Sequence, residues 1–226
     1  MHSRLAIPIL AQPDDITCGP TCLQAIYRYY GDDIALSTVI DEVQTLVGGG
    51  TLAALLGCHA LARGYAAKLY TFDLTLFDIT WFAGGADLTS KLKAQFAAKA
   101  NPRIREATGA HLRFLETGGE IRFEDLTAGL IRGILKRDRP ILAGLSATYL
   151  YRTARERDLG GSLVYDDLAG EPSGHFVVIN GYDMIITALH NSHPRYQRVL
   201  SLVAYTIHTA TMHSQHILFL SHIHPR

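Results

Sequence analysis

Near Pro140 the hydrophobic pattern of this chain changes its period. Before that point apolar residues recur at helical spacing. In "TCLQAIYRYYGDD", Cys22, Ile26 and Tyr30 fall four apart, a helix ending near Gly31. "ALSTVIDEVQTL" reads as a second helix, and "GGGTLAALLGCHALARGY" as a glycine loop, a Thr51 N-cap and a third helix stopped by Gly64. "AAKLYTF" reads as a strand. Asp73 to about Thr117 is charged and helical, an insertion or lid with "AKANPR" as its break, and "FEDLTAGLIRGILKRDR" is a further helix. After Pro140 the segments "PILAGLSA", "HFVVIN", "MIITALH" and "HILFLSHI" are short, apolar and β-branched, with a candidate helix "VLSLVAYTIHTA" before the last. Helices first and an antiparallel sheet afterwards make the expected class α+β, in one domain over 1–226.

The bulk numbers narrow the function classes. Apolar residues make up 48% of the 226, enough for a core without disorder. Lys+Arg and Asp+Glu balance at 21 each, so no electrostatic grip on nucleic acid or anionic lipid is expected. Three cysteines at 18, 22 and 58 are an odd number, and the first two lie one helical turn apart. That geometry suits a reducing compartment rather than a disulfide framework. The apolar run Leu5–Ala11 is short and broken by Pro8, and no stretch approaches the roughly 20 apolar residues of a membrane helix. The expected location is the cytoplasm, away from membranes.

Chemistry concentrates in "QPDDITCGPTC", Gln12 to Cys22. Cys18 stands where a helix begins, and Pro20 suits a first turn. A thiol there meets the positive end of the helix dipole, which favours thiolate. Gly19 permits close backbone approach by a substrate. "PDD" supplies a bend that returns Gln12, whose amide and the Cys18 backbone N–H would form an oxyanion hole. Asp14 and Asp15 read as turn formers. Cys22 and Cys58 read as core residues.

A cysteine nucleophile needs a base, and the base an orienter. His175 in "PSGHFVVINGYDMIITALHN" is the candidate base. A hairpin centred near Gly181 and Tyr182 sets Asn191 beside His175 on the returning strand. Asp183 shares the segment but falls at the far end of the strand.

With these residues in hand, "Q-x5-CGPTC" and the late "GHFVVINGYD" resemble C39-type and C39-like cysteine peptidases of the papain-like superfamily. The stretches "QPDDITCGPTCL", "YRYYGD" and "GGTLAALLGCHAL" resemble stand-alone C39-like proteins encoded beside RimK-type ATP-grasp ligases. The likeness implies a papain-like fold with N-terminal helices on a C-terminal sheet. It implies Cys18 as nucleophile, His175 as base and Gln12 as oxyanion residue, without cofactor or metal. The family usually carries Asp-Pro where this chain has "HNSHP", so Asn191 stands in for Asp, as papain-like enzymes allow. The expected activity is cleavage of a peptide or isopeptide bond through an acyl-enzyme, on a peptide or amino-acid conjugate, with an ATP-grasp ligase as partner. Two alternatives stand beside it: a transpeptidase using the same residues, and a non-catalytic module that binds a peptide or partner protein.

"GGG" at 48–50 reads equally as a cleft wall or a flexible loop. The C-terminal histidines, among them His190, His193, His208, His213, His216, His222 and His224, lack an HExxH or acidic ligand cluster and read as a solvated, pH-sensitive surface, with His222 and His224 on an edge strand.

Overall fold

The computed structural model describes residues 3–160, 162–182, 186–190, 201–203 and 216–222, with backbone alone at 186–190 and 201–203. Five stretches build the main sheet's centre: β2 (Tyr65–Thr71), β4 (Ile141–Ser146), β7 (Gly174–Tyr182), β8 (Ile186–His190) and β10 (His216–His222). Three short strands, β1 (Ser3–Arg4), β3 (Glu120–Phe123) and β9 (Ser201–Val203), complete it in the order β3-β2-β10-β4-β7-β8-β9, with β1 on β7. The class is α+β as expected. The sheet is antiparallel except that β2 and β3 run parallel, so it is mixed and takes a strand from the N-terminal half. A separate hairpin joins β5 (Glu156–Asp158) to β6 (Leu163–Tyr165).

Helix α1 (Cys18–Tyr29) packs on β7, with α2 (Leu36–Glu42) beside it. Cys22 and Ile26 are fully buried as their spacing predicts, but every residue from Cys18 to Tyr27 is buried, so the helix is covered on all sides, and Tyr30, the third of the four-spaced set, is half-buried. Helix α3 (Ala53–Ala62) covers β2 and β10. Leu52, not Thr51, holds its N-cap position, and the Thr51 hydroxyl instead donates to the Gln44 carbonyl at 2.9 Å. Gly64 ends it with φ +82°, a left-handed conformation that glycine adopts without strain.

The segment between β2 and β3 carries a 3-10 turn (Ile79–Trp81) and helices α4 (Leu88–Ala98) and α5 (Pro102–Glu116). Helix α5 packs on α3: Phe114 is fully buried, and a Cβ on Gly57 would lie 2.4 Å from its ring. The last helices are α6 (Ala128–Leu135), capped by the Thr127 hydroxyl, and α7 (Ala147–Tyr151).

Three local expectations are corrected. Ser201–Val203, placed in a helix by its apolar spacing, is a strand antiparallel to β8. Strand β10 lies between β2 and β4, so His222 belongs to an interior strand rather than an edge. Tyr182 pairs with Thr187 and Val178 with His190, with a bulge between Ile179 and Gly181, so the turn lies beyond Tyr182. The hairpin register that set Asn191 beside His175 is therefore shifted. Asn191 itself, like His193, His208, His213 and His224, lies outside the described residues. Among the described residues no helix is long and apolar enough to cross a membrane.

Two stability predictions follow from this packing. Gly57→Ala drives a Cβ into Phe114, an overpacking cost of about 1–3 kcal/mol that outweighs the roughly 1 kcal/mol helix gain. Thermal melting is expected to drop by several degrees and to recover when Phe114→Leu is added. His111 on α5 is buried against Phe77 and His216, and desolvation holds its imidazole well below the ordinary 6.5, at about 3. The unfolded chain then takes up the proton that the folded chain refuses. Stability is full above about pH 6.5 and falls below it, by about 2 kcal/mol near pH 5 from this group. The buried His216 is also pushed down by desolvation, against the opposing pull of Asp73, and adds in the same direction. Denaturant unfolding from about pH 8 to about pH 4 checks this, and His111→Phe should flatten the curve.

Candidate active site

The bend before α1 is built by Asp14, whose carboxylate accepts the backbone N–H of Ile16 and of Thr17, each at 2.9 Å. This Asx-turn delivers Cys18 as the first helical residue, with its side chain buried. Gly19 follows because space is short: a Cβ there would meet Thr51 at 2.8 Å, Leu56 at 3.1 Å and the Phe176 ring at 3.2 Å. The absence of a side chain lets α1 settle on β7.

Both helix cysteines reach Phe176 of β7. The Phe176 backbone N–H lies close enough to the Cys18 sulfur to lower its pKa. One turn on, Cys22 Sγ donates to the Phe176 carbonyl at 3.4 Å. Cys22 is therefore a docking residue as well as core. All three cysteines are free thiols, and Cys58 is buried beside Thr117.

Burial pushes the Cys18 thiol up from its ordinary value. The N–H groups of Phe176, Gly19 and Cys18 itself pull it down but do not overcome desolvation, and Asp14 adds a small upward push. The helix start alone does not make this sulfur a thiolate. A neighbouring base or cation has to do so.

His175 immediately precedes Phe176 on β7, is 7% exposed, and lines the same cleft as Cys18. The Tyr151 ring on α7 meets its imidazole edge-on, with centroids 5.8 Å apart. Gln12 is buried and its amide donates to the Asp14 carbonyl at 2.5 Å. It stabilises the turn under Cys18 and is not among the residues lining the cleft.

The cleft has a volume of about 800 Å³. One wall is the glycine loop 48–50 with Thr51, which decides between the two readings of that loop in favour of the cleft wall. The β6 residues Leu163, Val164 and Tyr165 line it from another side, and Gly144 and His216 belong to its floor. Sequence reasoning missed the β5–β6 hairpin and Tyr151, and it placed His216 on a solvated surface, whereas its side chain is only 15% exposed and lines the cleft. The hairpin strands are three residues each with exposed side chains, so no buried periodicity marks them. Tyr151 and His216 acquire meaning only through neighbours distant in sequence. Among the described residues no group of three or more His, Cys, Asp or Glu side chains could hold a metal ion.

A cysteine on a helix start and a histidine on the strand beneath it can together perform nucleophilic acyl transfer. Two solved structures are similar over nearly the whole chain. One is the peptidase domain of Streptococcus ComA, a bi-functional ABC transporter involved in a quorum-sensing pathway, at 14% identity, covering 96% of this chain and 100% of that one, with a TM-score of 0.46. The other, described as a C39-like peptidase from Bacillus anthracis, has 10% identity, covers 99% and 100%, and has a TM-score of 0.49. No curated protein sequence matches. The model of the Peptidase_C39 like family matches residues 4–200, a span that includes both Cys18 and His175. The chain belongs to that family, and this membership supports cysteine peptidase activity.

Proposed function

We propose that this protein cleaves a peptide or isopeptide bond through an acyl-enzyme on Cys18. The observation that carries the reading is the shared cleft of Cys18 and His175, joined through Phe176. In this reading His175 takes the thiol proton as the sulfur attacks the carbonyl. The imidazolium then gives that proton to the leaving amine, and water resolves the thioester. The Cys18 backbone N–H holds the oxyanion, and Gln12, turned from the Asp14 carbonyl towards the cleft, is its proposed side-chain partner. Tyr151 steadies the imidazole from one side, and Asn191 is its proposed hydrogen-bond partner. A peptide or amino-acid conjugate as substrate, and an ATP-grasp ligase as partner, belong to the same proposal on the likeness of the opening and "GHFVV" segments.

A second reading, a module that binds a peptide without cutting it, is favoured by one observation: burial pushes the Cys18 thiol up. The two readings differ in the rate at which iodoacetamide alkylates each cysteine from about pH 4 to about pH 9, measured by peptide mass spectrometry. A peptidase is expected to show fast Cys18 alkylation below about pH 7, abolished in His175→Ala, because a cationic imidazole is what brings a buried thiol down. Slow Cys18 alkylation that rises only above the ordinary thiol range, alike in both proteins, would favour the binding module. For the orienter, Asn191→Ala is expected to lower kcat by about tenfold or more with KM unchanged. An unchanged kcat removes Asn191 from the mechanism and leaves the imidazole to Tyr151.

A further inference from the structure

The hairpin β5–β6 is held in place by backbone groups and polar side chains. Glu156 exchanges two backbone hydrogen bonds with Glu171, at 3.0 and 2.8 Å. The Asp166 N–H donates to the Arg155 carbonyl at 2.8 Å, and the Asp166 carboxylate accepts the N–H groups of Leu168 and Ala169 at 3.0 and 2.8 Å. None of these contacts uses the side chains of Leu163, Val164 and Tyr165, the three residues of β6. Successive side chains of a strand point to opposite faces, so three apolar residues in a row put apolar surface on both sides of β6. All three remain exposed, at 48%, 37% and 52%.

Exposed apolar residues scattered singly are ordinary on a protein surface, but these three are contiguous and line the cleft of Cys18 and His175. Ile16, two residues before Cys18, lines the same cleft and is half-exposed. Leu46, Leu52 and Leu145 line it as well, each resting on the core with part of its surface uncovered. Apolar lining therefore comes from the turn before α1, from both ends of the glycine loop, from β4 and from β6. An apolar group entering such a cavity takes its own surface and that of the lining out of water together.

Charge discriminates less here. The Asp, Glu, Lys and Arg side chains among the described lining residues are Asp15, Arg103, Glu156 and Glu171. Asp15, Arg103 and Glu171 are exposed, and Arg103 is paired with Glu171 at 3.4 Å. Water screens charges in that setting, and such pairs contribute little. A volume of about 800 Å³ lies within the range that holds a whole small ligand, so the cleft takes a peptide of a few residues rather than one side chain alone.

We propose that β6 is the specificity-determining wall of the cleft, where Leu163 and Val164, with Tyr165, receive a large apolar side chain of the bound peptide. The apolar wall is argued from the hairpin and the lining of the cleft. That the occupant is a peptide rests on the function proposed above. The hairpin then has a reason for its composition: its apolar residues are not needed to hold it, and they become buried when the peptide is in place.

The test is calorimetric titration of the Cys18→Ala protein, which needs no turnover. The probes are N-acetyl-tetra-alanine amide and the four related peptides in which leucine replaces one alanine. The expected result is that at least one leucyl peptide binds about tenfold or more tightly than the all-alanine peptide, as burial of its extra carbons provides. Adding Leu163→Ser and Val164→Ser should cut that preference to about threefold or less, with the melting temperature unchanged because both side chains are exposed. If the double variant melts early, Leu163→Ser alone serves. Leu168→Ser, at an 86% exposed side chain outside the cleft lining, is the control and should leave the preference intact. Equal binding of all five peptides, no binding by any, or a preference that survives the β6 substitutions overturns the proposal. Heats of dilution that reveal self-association, removed by the same substitutions, make β6 a contact between copies and overturn it as well. A β6-dependent apolar preference without Cys18-dependent hydrolysis by the wild type would sink the peptidase reading and leave this site standing. Hydrolysis of the peptides without apolar preference does the reverse.

Discussion

The seating of α1 on β7 at Phe176 is the contact on which the rest of the site depends. Cys22 gives its thiol proton to the Phe176 carbonyl and Cys18 lies near the Phe176 N–H, so the start of the helix is seated on one residue of a central strand. Gly19 makes the approach possible, since any side chain there would strike Phe176 and Leu56. Because His175 precedes Phe176, the same contact brings a basic side chain into the cleft that the sulfur enters. The site is thus a consequence of packing: fix the helix on the strand and Cys18 and His175 enter one cleft.

Burial has a cost for this arrangement, since it raises the thiol that must ionise. Three backbone N–H groups reduce that penalty without removing it. A site of this kind works as a pair, with the imidazole supplying what the helix start does not. The same low-polarity surroundings that disfavour an isolated thiolate strengthen its attraction to an imidazolium once both have formed.

Cys18 and Pro20 were legible as a helix start because their chemistry is local: a proline in a first turn and turn residues just before it, of which Asp14 makes the Asx-turn. Gly19 was read as room for a substrate, but its missing side chain makes room for Thr51, Leu56 and Phe176. The strand containing His175 was legible for the same reason, as an apolar β-branched run. Gln12 was located correctly in the turn, but its amide reaches the Asp14 carbonyl, a competition between acceptors that no spacing rule decides. The hairpin after β7 was read with its turn too early, because "NGY" has turn composition yet continues the strand through a bulge. A shift of that size changes which residue faces His175. Thr51 failed as a cap because the Gln44 carbonyl offered its hydroxyl a partner.

By itself the sequence determined the α+β class, most of the helices before Pro140, the strands around Ile141 and His175, and Cys18 and His175 as candidate residues. Each of these is set by neighbours a few residues away, where period, capping and turn chemistry act. Tertiary structure alone decided that β10 runs through the middle of the sheet, that β2 and β3 are parallel, and that Tyr151 meets His175. It also decided that His216, Gly144 and Phe176 are cross-strand neighbours, with the Phe176 ring over Gly144. The physical reason is that strand pairing joins residues many positions apart by backbone hydrogen bonds, which any side chain permits. The pairing is selected by burial of the whole face, and so it leaves no signature at the positions it brings together.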